Sequence, residues 1–373
     1  DQELPRYVIV SDFAHFRLHD LETGQETEFA LEDLHENIQT FGFIAGYQQR
    51  TFHEQDAVNV KAARKLANLH DGMMAVGYGG HDLEVYLVRI LFCLFAEDTG
   101  IFLPRGAFID FIEQRTAPDG SDLAARLTEL FEVLNTPEDK RLTSLDEQLA
   151  EFPFVNGRLF EERLRIAGFN KDLRDMLIEC CELDWGQVSP AIFGSLFQGI
   201  MDTQMRRHLG AHYTSEKNIM KVIAPLFLDD LREELTRCGK NRARLRQFHD
   251  KLADLTFFDP ACGCGNFLVI TYREVRLLEL EVIKRLYGDK VKSLHLLDYV
   301  RVNVDQFHGI EIEEWPAQIA QVAMWLIDHQ MNVLVSQVFG NAFVRIPLVK
   351  SANIKHGNAL RLDWGNVLPA PQC

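Results

Sequence analysis

The stretch Asp259-Pro260-Ala261-Cys262-Gly263-Cys264-Gly265-Asn266-Phe267-Leu268 constrains the fold of this chain more than any other. Small or turn-forming residues run from Pro260 to Gly265. They directly follow the apolar segment Leu255-Thr256-Phe257-Phe258 and precede a long amphipathic run. A strand that ends in a glycine turn and enters a helix builds a ligand site at the carboxyl edge of a sheet. Gly263 and Gly265 let the backbone approach a bound group, and the helix N-terminus offers free N–H groups. The spacing is not G-x-G-x-x-G, because the third residue after Gly265 is Leu268. A dinucleotide pyrophosphate is therefore disfavoured. A ligand with a carboxylate and a sugar but no phosphate fits better, and S-adenosylmethionine is such a ligand.

The same alternation recurs downstream. Val304 to Glu311 reads as a strand that leads into a helix from Pro316 to Met331. Strand and helix in alternation imply a parallel sheet in an α/β domain. Gly309-Ile310-Glu311-Ile312 sets an acid at a strand end, where a carboxylate accepts hydrogen bonds from both ribose hydroxyls. Glu313 and Glu314 read as solvated charges that favour a helix start. His356-Gly357-Asn358-Ala359-Leu360 follows a weaker strand. Asn358 there suits the adenine edge of the ligand, or a plain turn. Upstream lies Leu209-Gly210-Ala211-His212-Tyr213-Thr214-Ser215. Thr214 or Ser215 caps the next helix, expected from Glu216 to Cys238, and Tyr213 and Thr214 are placed to close over the methionine end of the ligand. The basic run Lys240 to Arg246 reads as a solvated helix end rather than a DNA contact.

The 373 residues suffice for two or three domains. Residues 1–50 read as a β-rich remnant of an upstream domain. Tyr7 to Ser11 and His15 to Leu21 are β-prone, Glu22 to Gln25 is a turn, and Glu26 to Phe29 pairs back. Residues 51–205 read as helical. Ala57 to Ala67 and Asp122 to Leu134 have helical spacing, Leu83 to Phe95 is apolar on nearly every face, and Ser189-Pro190 opens a further helix. Residues 206–373 hold the ligand-binding part. A net charge of −16 argues against a surface that wraps nucleic acid as a whole. The seven scattered cysteines suggest neither a disulfide framework nor structural zinc, and point to a reducing, cytoplasmic compartment. The N-terminus lacks the features of a signal peptide, and Leu83 to Phe95 is too short to span a bilayer.

"FFDPACGCGNFL", with "LGAHYTS" before it and "GIEIEEWPAQIAQVAMWL" after it, resembles the amino-methylating DNA methyltransferases that modify adenine N6. The motif order is that of their gamma class. "VRILFCLFAEDTGIF" (88–102), "FPFVNGRLFEE" (152–162) and "SPAIFGSLFQGIMD" (189–202) resemble the helical spacer of type IIL restriction–modification enzymes. The resemblance implies a Rossmann-like, S-adenosylmethionine-dependent methyltransferase domain behind that spacer, and a nuclease ahead of it. It implies Gly210, Ala211, His212, Tyr213 and Thr214 around the cofactor, with Asp259, Pro260, Ala261, Gly263, Gly265, Asn266 and Phe267. Glu311 and Ile312 hold the ribose and flank the adenine, with Asn358 and Ala359 nearby.

The family's catalytic tetrapeptide, Asn-Pro-Pro-Phe or Tyr, does not occur in the chain. The resemblance places it a few residues past Asn366 to Cys373, and places the Mg²⁺-dependent nuclease residues before Asp1. On this reading the chain is an internal fragment without catalytic residues. Double-stranded DNA is then reached through domains outside it. Methyl transfer in such enzymes acts on a flipped-out base and needs no metal and no covalent intermediate. The competing readings are a catalytically silent cofactor-binding fragment, a methyltransferase acting on RNA or protein, and a Rossmann dehydrogenase.

Overall fold

The computed structural model describes residues 7–20, 25–35, 37, 56–155, 158–190, 214, 216–288, 299–339 and 352–368. The chain divides into two compact units, Asp1–Phe52 and His53–Cys373.

The first unit is an antiparallel meander of β1 (Tyr7–Ser11), β2 (His15–Asp20) and β3 (Gln25–Ala30). The sequence alternation sets its register, with Phe16 opposite Phe29 and Arg17 opposite Glu28. Phe16 and Phe29 stack at 5.7 Å, and Leu18 and Phe29 are buried, so the sheet has a small apolar face of its own. On the other face Arg17 Nη2 pairs with Glu28 at 2.6 Å. All of the expected turn but Gln25 lies outside the described residues.

The second unit opens with helices α1 (Asp56–Ala75), α2 (His81–Asp98), α3 (Ala107–Arg115), α4 (Leu123–Asn135), α5 (Glu147–Ala150) and α6 (Lys171–Cys181). Every residue from Tyr86 to Glu97 is buried, as an all-round apolar helix requires. The helix expected to open at Ser189-Pro190 falls outside the described residues after Pro190.

Next come α7 (Glu216–Ile223) and α8 (Asp229–Cys238), joined by a π-helical turn at Ala224–Leu228. The helix widens where Pro225 removes a backbone donor. The basic run is the solvated start of a helix. Asn241 caps a separate helix, α9 (Arg242–Asp254), by accepting from the Ala243 and Arg244 N–H groups. Leu245, Phe248 and Leu252 bury its apolar face while Arg242, Arg244 and Arg246 stay exposed.

The remaining elements are β4 (Phe257–Asp259), α10 (Asn266–Tyr287), β5 (Phe307–Glu311), α11 (Glu314–Val338), β6 (Asn353–His356) and α12 (Trp364–Val367). The three strands form a parallel sheet in the order β4-β5-β6, with Asp259 beside Gly309 and Glu311 beside His356. This is the expected α/β methyltransferase arrangement. Val304–Gln306 is a 3-10 turn closed by an Asn303–Gln306 capping box, so the strand starts at Phe307 rather than Val304.

Between the helices lies a buried polar knot. Arg276 of α10 donates to Tyr272, to Asp328 and Asn332 of α11, and to the Val302 carbonyl ahead of β5. Glu279 accepts from the Val302 N–H and faces His249 of α9 at 3.0 Å. These bonds fix the helices against the approach to β5. In its second half α11 meets α2 and the turn at 185–188. Trp325 packs on Phe92 at 5.0 Å, and Gln330 donates to the Gly186 and Val188 carbonyls. Among the described residues no helix is long and apolar enough to cross a membrane.

Candidate functional site

At the carboxyl edge of β4 and β5 the glycine loop crosses between the strands. Cys262 N–H donates to the Ile310 carbonyl at 3.0 Å and Gly265 N–H to the Cys262 carbonyl at 2.8 Å. Both Gly263 (φ 54) and Gly265 (φ 82) are left-handed, which only glycine adopts at little cost. Their surroundings differ. A Cβ on Gly263 meets nothing within 4 Å, so its open side admits a ligand. A Cβ on Gly265 lies 3.0 Å from Ala320 Cβ and 3.2 Å from Ala320 Cα. The close approach at Gly265 is therefore to helix α11, not to ligand space.

Glu311, half-buried at the end of β5, holds the loop. Its Oε2 accepts from the Gly263 N–H at 2.8 Å and its Oε1 from the Glu313 N–H at 3.0 Å. Each carboxylate oxygen keeps a lone pair for a further donor. Asp259 Oδ1 accepts from the Ala261 N–H at 3.0 Å. Burial pushes the Asp259 carboxyl above its ordinary range. The backbone bond opposes that, and the nearby Glu311 charge adds to it. Burial likewise raises the thiols of Cys262 and Cys264, which keeps them neutral. Among the described residues there is no group of three His, Cys, Asp or Glu able to hold a metal.

Asn266 opens α10 with a buried Oδ1 that has no hydrogen-bond partner among the described residues. Ile312 is 53% exposed beside Glu311, an apolar face turned to solvent at the sheet edge. Glu313 and Glu314 stand at the start of α11, as expected. An orphaned acceptor, an open glycine, a carboxylate and an exposed apolar side chain together suit a ligand with donors and a flat apolar part.

Asn358 forms a turn: its Oδ1 accepts from the Leu360 N–H at 2.9 Å. The Ala359 carbonyl accepts from Trp364 Nε1 at 2.7 Å. Gly357 N–H donates to the Glu311 carbonyl at 2.7 Å, which ties this turn to the site. Pro260 and Phe267 lie in the loop and the first turn of α10, both half-buried. Thr214 is half-buried, whereas Gly210, Ala211, His212, Tyr213 and Ser215 fall outside the described residues.

Two positions escape a reading of the motifs. A Cβ on Gly309 would sit 2.8 Å from both Cys262 Sγ and Ile354 Cδ1, so this strand glycine admits the loop. Its signal is a glycine inside a strand. Ala320 is the small residue that lets α11 reach Gly265, and only its partner gives it meaning.

A three-stranded parallel edge, a glycine loop latched by an acid, and a helical spacer packed on α11 define an α/β methyltransferase domain behind a spacer. Comparison with known families narrows this. Residues 1–75 match the family model described as MmeI, N-terminal domain. Residues 81–160 match MmeI, helicase spacer domain, and residues 235–373 match MmeI, DNA-methyltransferase domain. The chain belongs to the MmeI family of type IIL restriction–modification enzymes and carries that family's DNA-methyltransferase domain.

The solved structure of the type IIL restriction–modification enzyme MmeI in complex with DNA superposes with a TM-score of 0.76 at 59% identity, over 83% of this chain and 41% of that one. DNA methyltransferase A of Bacillus subtilis (strain 168) is 37% identical over 371 residues, 98% of this chain and 41% of the relative. A putative type II restriction enzyme and methyltransferase of Methanocaldococcus jannaschii is 24% identical over 74% of this chain and 27% of its own length. The chain thus spans at most 41% of the length of these relatives.

Proposed function

We propose that the chain supplies the S-adenosylmethionine-binding part of a site-specific DNA methyltransferase that acts on adenine N6, within a bifunctional restriction–modification enzyme of the cytoplasm. The observation that carries the reading is the Glu311 carboxylate. It latches the glycine loop at a parallel sheet edge and keeps lone pairs for two ribose hydroxyls. Gly263 leaves room for the ligand backbone, Ile312 offers an apolar face to the adenine, and Asn266 Oδ1 offers an acceptor. Gly210 to Thr214, Asp259 to Phe267, Asn358 and Ala359 complete the proposed contacts. When bound, S-adenosylmethionine supplies an electrophilic methyl group on a sulfonium. The acids at the edge, Asp259 and Glu311, suit a cationic ligand.

The substrate is double-stranded DNA, in line with the DNA complex of the similar enzyme. Domains 1–50, 51–205 and 206–373 are proposed as nuclease remnant, spacer and cofactor part. Calorimetric titration of the chain with S-adenosylhomocysteine tests the reading: one saturable site is expected. No heat at millimolar ligand, with the chain folded by circular dichroism, removes it.

A further inference from the structure

A chain of charges ties the start of α7 to α10. Arg273 of α10 is 3% exposed. Its Nη2 donates to Glu216 Oε1 at 2.6 Å and to Glu274 Oε1 at 2.9 Å. Glu274 Oε2 accepts in turn from Arg232 Nη2 of α8 at 2.9 Å. The line from Glu216 through Arg273 and Glu274 to Arg232 therefore crosses three helices, α7, α10 and α8. Its two ends differ in what adjoins them. Arg232 lies within α8, whereas Glu216 opens α7, two residues after Thr214.

Stability alone does not call for this arrangement. Taking two charges out of water costs about as much as their attraction returns, and an apolar pair of similar volume often serves as well or better. What the ion pair adds is direction. Ile219 and Ile223 are the buried residues of α7. Apolar contacts are non-directional, so they let a helix turn or slide on its bed. A guanidinium fork instead fixes the distance and the angle of the carboxylate it binds. The Glu216 contact thus sets where the first turn of α7 lies.

That turn is set against the helix that opens the candidate site. Asn266, with its unpartnered buried Oδ1, and Arg273 are seven residues apart on α10. Seven residues make about two turns, so both stand on one face, about 10 Å apart along the axis. One end of this face meets the glycine loop. The other holds Glu216 and, through it, the backbone next to Thr214.

We propose that Arg273 is a positioning residue for the cofactor: through Glu216 it holds Thr214 against the methionine end of S-adenosylmethionine. This role rests on the cofactor reading above. Its effect is selective, because the groups proposed to hold the adenosine part, Glu311 and Ile312, belong to the sheet edge and not to this pair.

The test compares two ligands on the full chain by calorimetry. One is S-adenosylhomocysteine, and the other is 5′-methylthioadenosine, which lacks the amino-acid end. Glu216→Ala cuts the tie to α7 while Arg273 keeps Glu274, so the buried cation retains a partner. Affinity for S-adenosylhomocysteine should fall at least about fivefold, the low end of coupling between linked sites. Affinity for 5′-methylthioadenosine should change by less than about twofold, as for independent sites. Arg232→Met severs the other end of the line and should leave both affinities unchanged. If Glu216→Ala does not fold, Arg273→Met/Glu216→Leu replaces the pair by apolar groups and should show the same selective loss. A second measurement needs only S-adenosylhomocysteine: Thr214→Ala should weaken it in the parent but no further in Glu216→Ala. A parent that binds no S-adenosylhomocysteine removes the cofactor reading and this role with it. With the parent binding, the positioning role alone is overturned by unchanged affinity in Glu216→Ala, by equal weakening of both ligands, or by the same loss in Arg232→Met. Additive losses for Thr214→Ala and Glu216→Ala, or failure of both pair variants to fold, overturn it as well.

Discussion

Glu311 is the residue whose loss should matter most to the proposed site. Glu311→Ala removes two backbone latches and the proposed ribose acceptor, at roughly 1.5–3 kcal/mol per charge-assisted bond. The dissociation constant for S-adenosylhomocysteine should rise at least about tenfold. An unchanged value removes Glu311 from the ligand. The two loop glycines separate ligand space from packing. Gly263→Ala carries only the left-handed backbone cost, about 1–2 kcal/mol, and should weaken binding while the fold persists. Gly265→Ala adds overpacking against Ala320, about 1–3 kcal/mol more, and should lower the urea midpoint further. Equal midpoints for the two variants would contradict this assignment. Asp98 offers a pH test. Burial raises its carboxyl to about 7, Asp184 and Glu97 add to this, and the Trp185 N–H bond opposes it. A raised folded-state value means that the unfolded chain ionises first. Stability is therefore lost as pH climbs from the unfolded value of 3.8 to about 7. Asp98→Asn removes this loss and keeps an oxygen for Trp185. Its unfolding free energy in urea should exceed the parent's by more at pH 8 than at pH 5, with the excess growing on the order of 1–3 kcal/mol between them. A constant difference across that range would refute the buried-acid account.

Elements were legible where one physical pattern dominated. The all-apolar stretch of α2 reads as a buried helix because no face of it tolerates water. The glycine run reads as the turn between β4 and α10. Helix α9 was not legible, since arginines at its start hide an apolar stripe of only three residues and a short Asn241 cap. The polar knot of α10 was equally hidden. Arg276 and Glu279 look like surface residues in sequence, yet each is 1% exposed. Arg276→Met leaves the buried Glu279 and the half-buried Asp328 without their cation, and should cost about 3–5 kcal/mol in denaturant unfolding. A cost below about 1 kcal/mol would show that α10 does not depend on the knot.

The residues proposed for the cofactor site all belong to the second compact unit, His53–Cys373. Residues 53–373 alone should therefore bind S-adenosylhomocysteine as tightly as the full chain. A large loss would assign part of the site to the first unit. On the proposed adenine-N6 reading, the N6 hydrogens are accepted by an Asn-Pro-Pro tetrapeptide, which the 373 residues do not contain. No labelled methyl group should pass from S-adenosylmethionine to duplex DNA on residues 1–373. Efficient transfer would place the catalytic groups among the residues assigned here to the cofactor and spacer.

By itself the sequence determined the α/β class, the glycine loop and the acid that ends the second strand. Strand–turn–helix chemistry is local, and backbone freedom and side-chain size express it within a dozen residues. The tertiary structure alone decided what each glycine serves. Gly265 faces Ala320, Gly309 faces Cys262, and Gly263 faces open space, which are distinctions between residues up to 55 positions apart. It also decided that Asn358 closes a turn and that Arg276 is buried. Burial and pairing are properties of what packs against a side chain, and the one-dimensional pattern does not carry them.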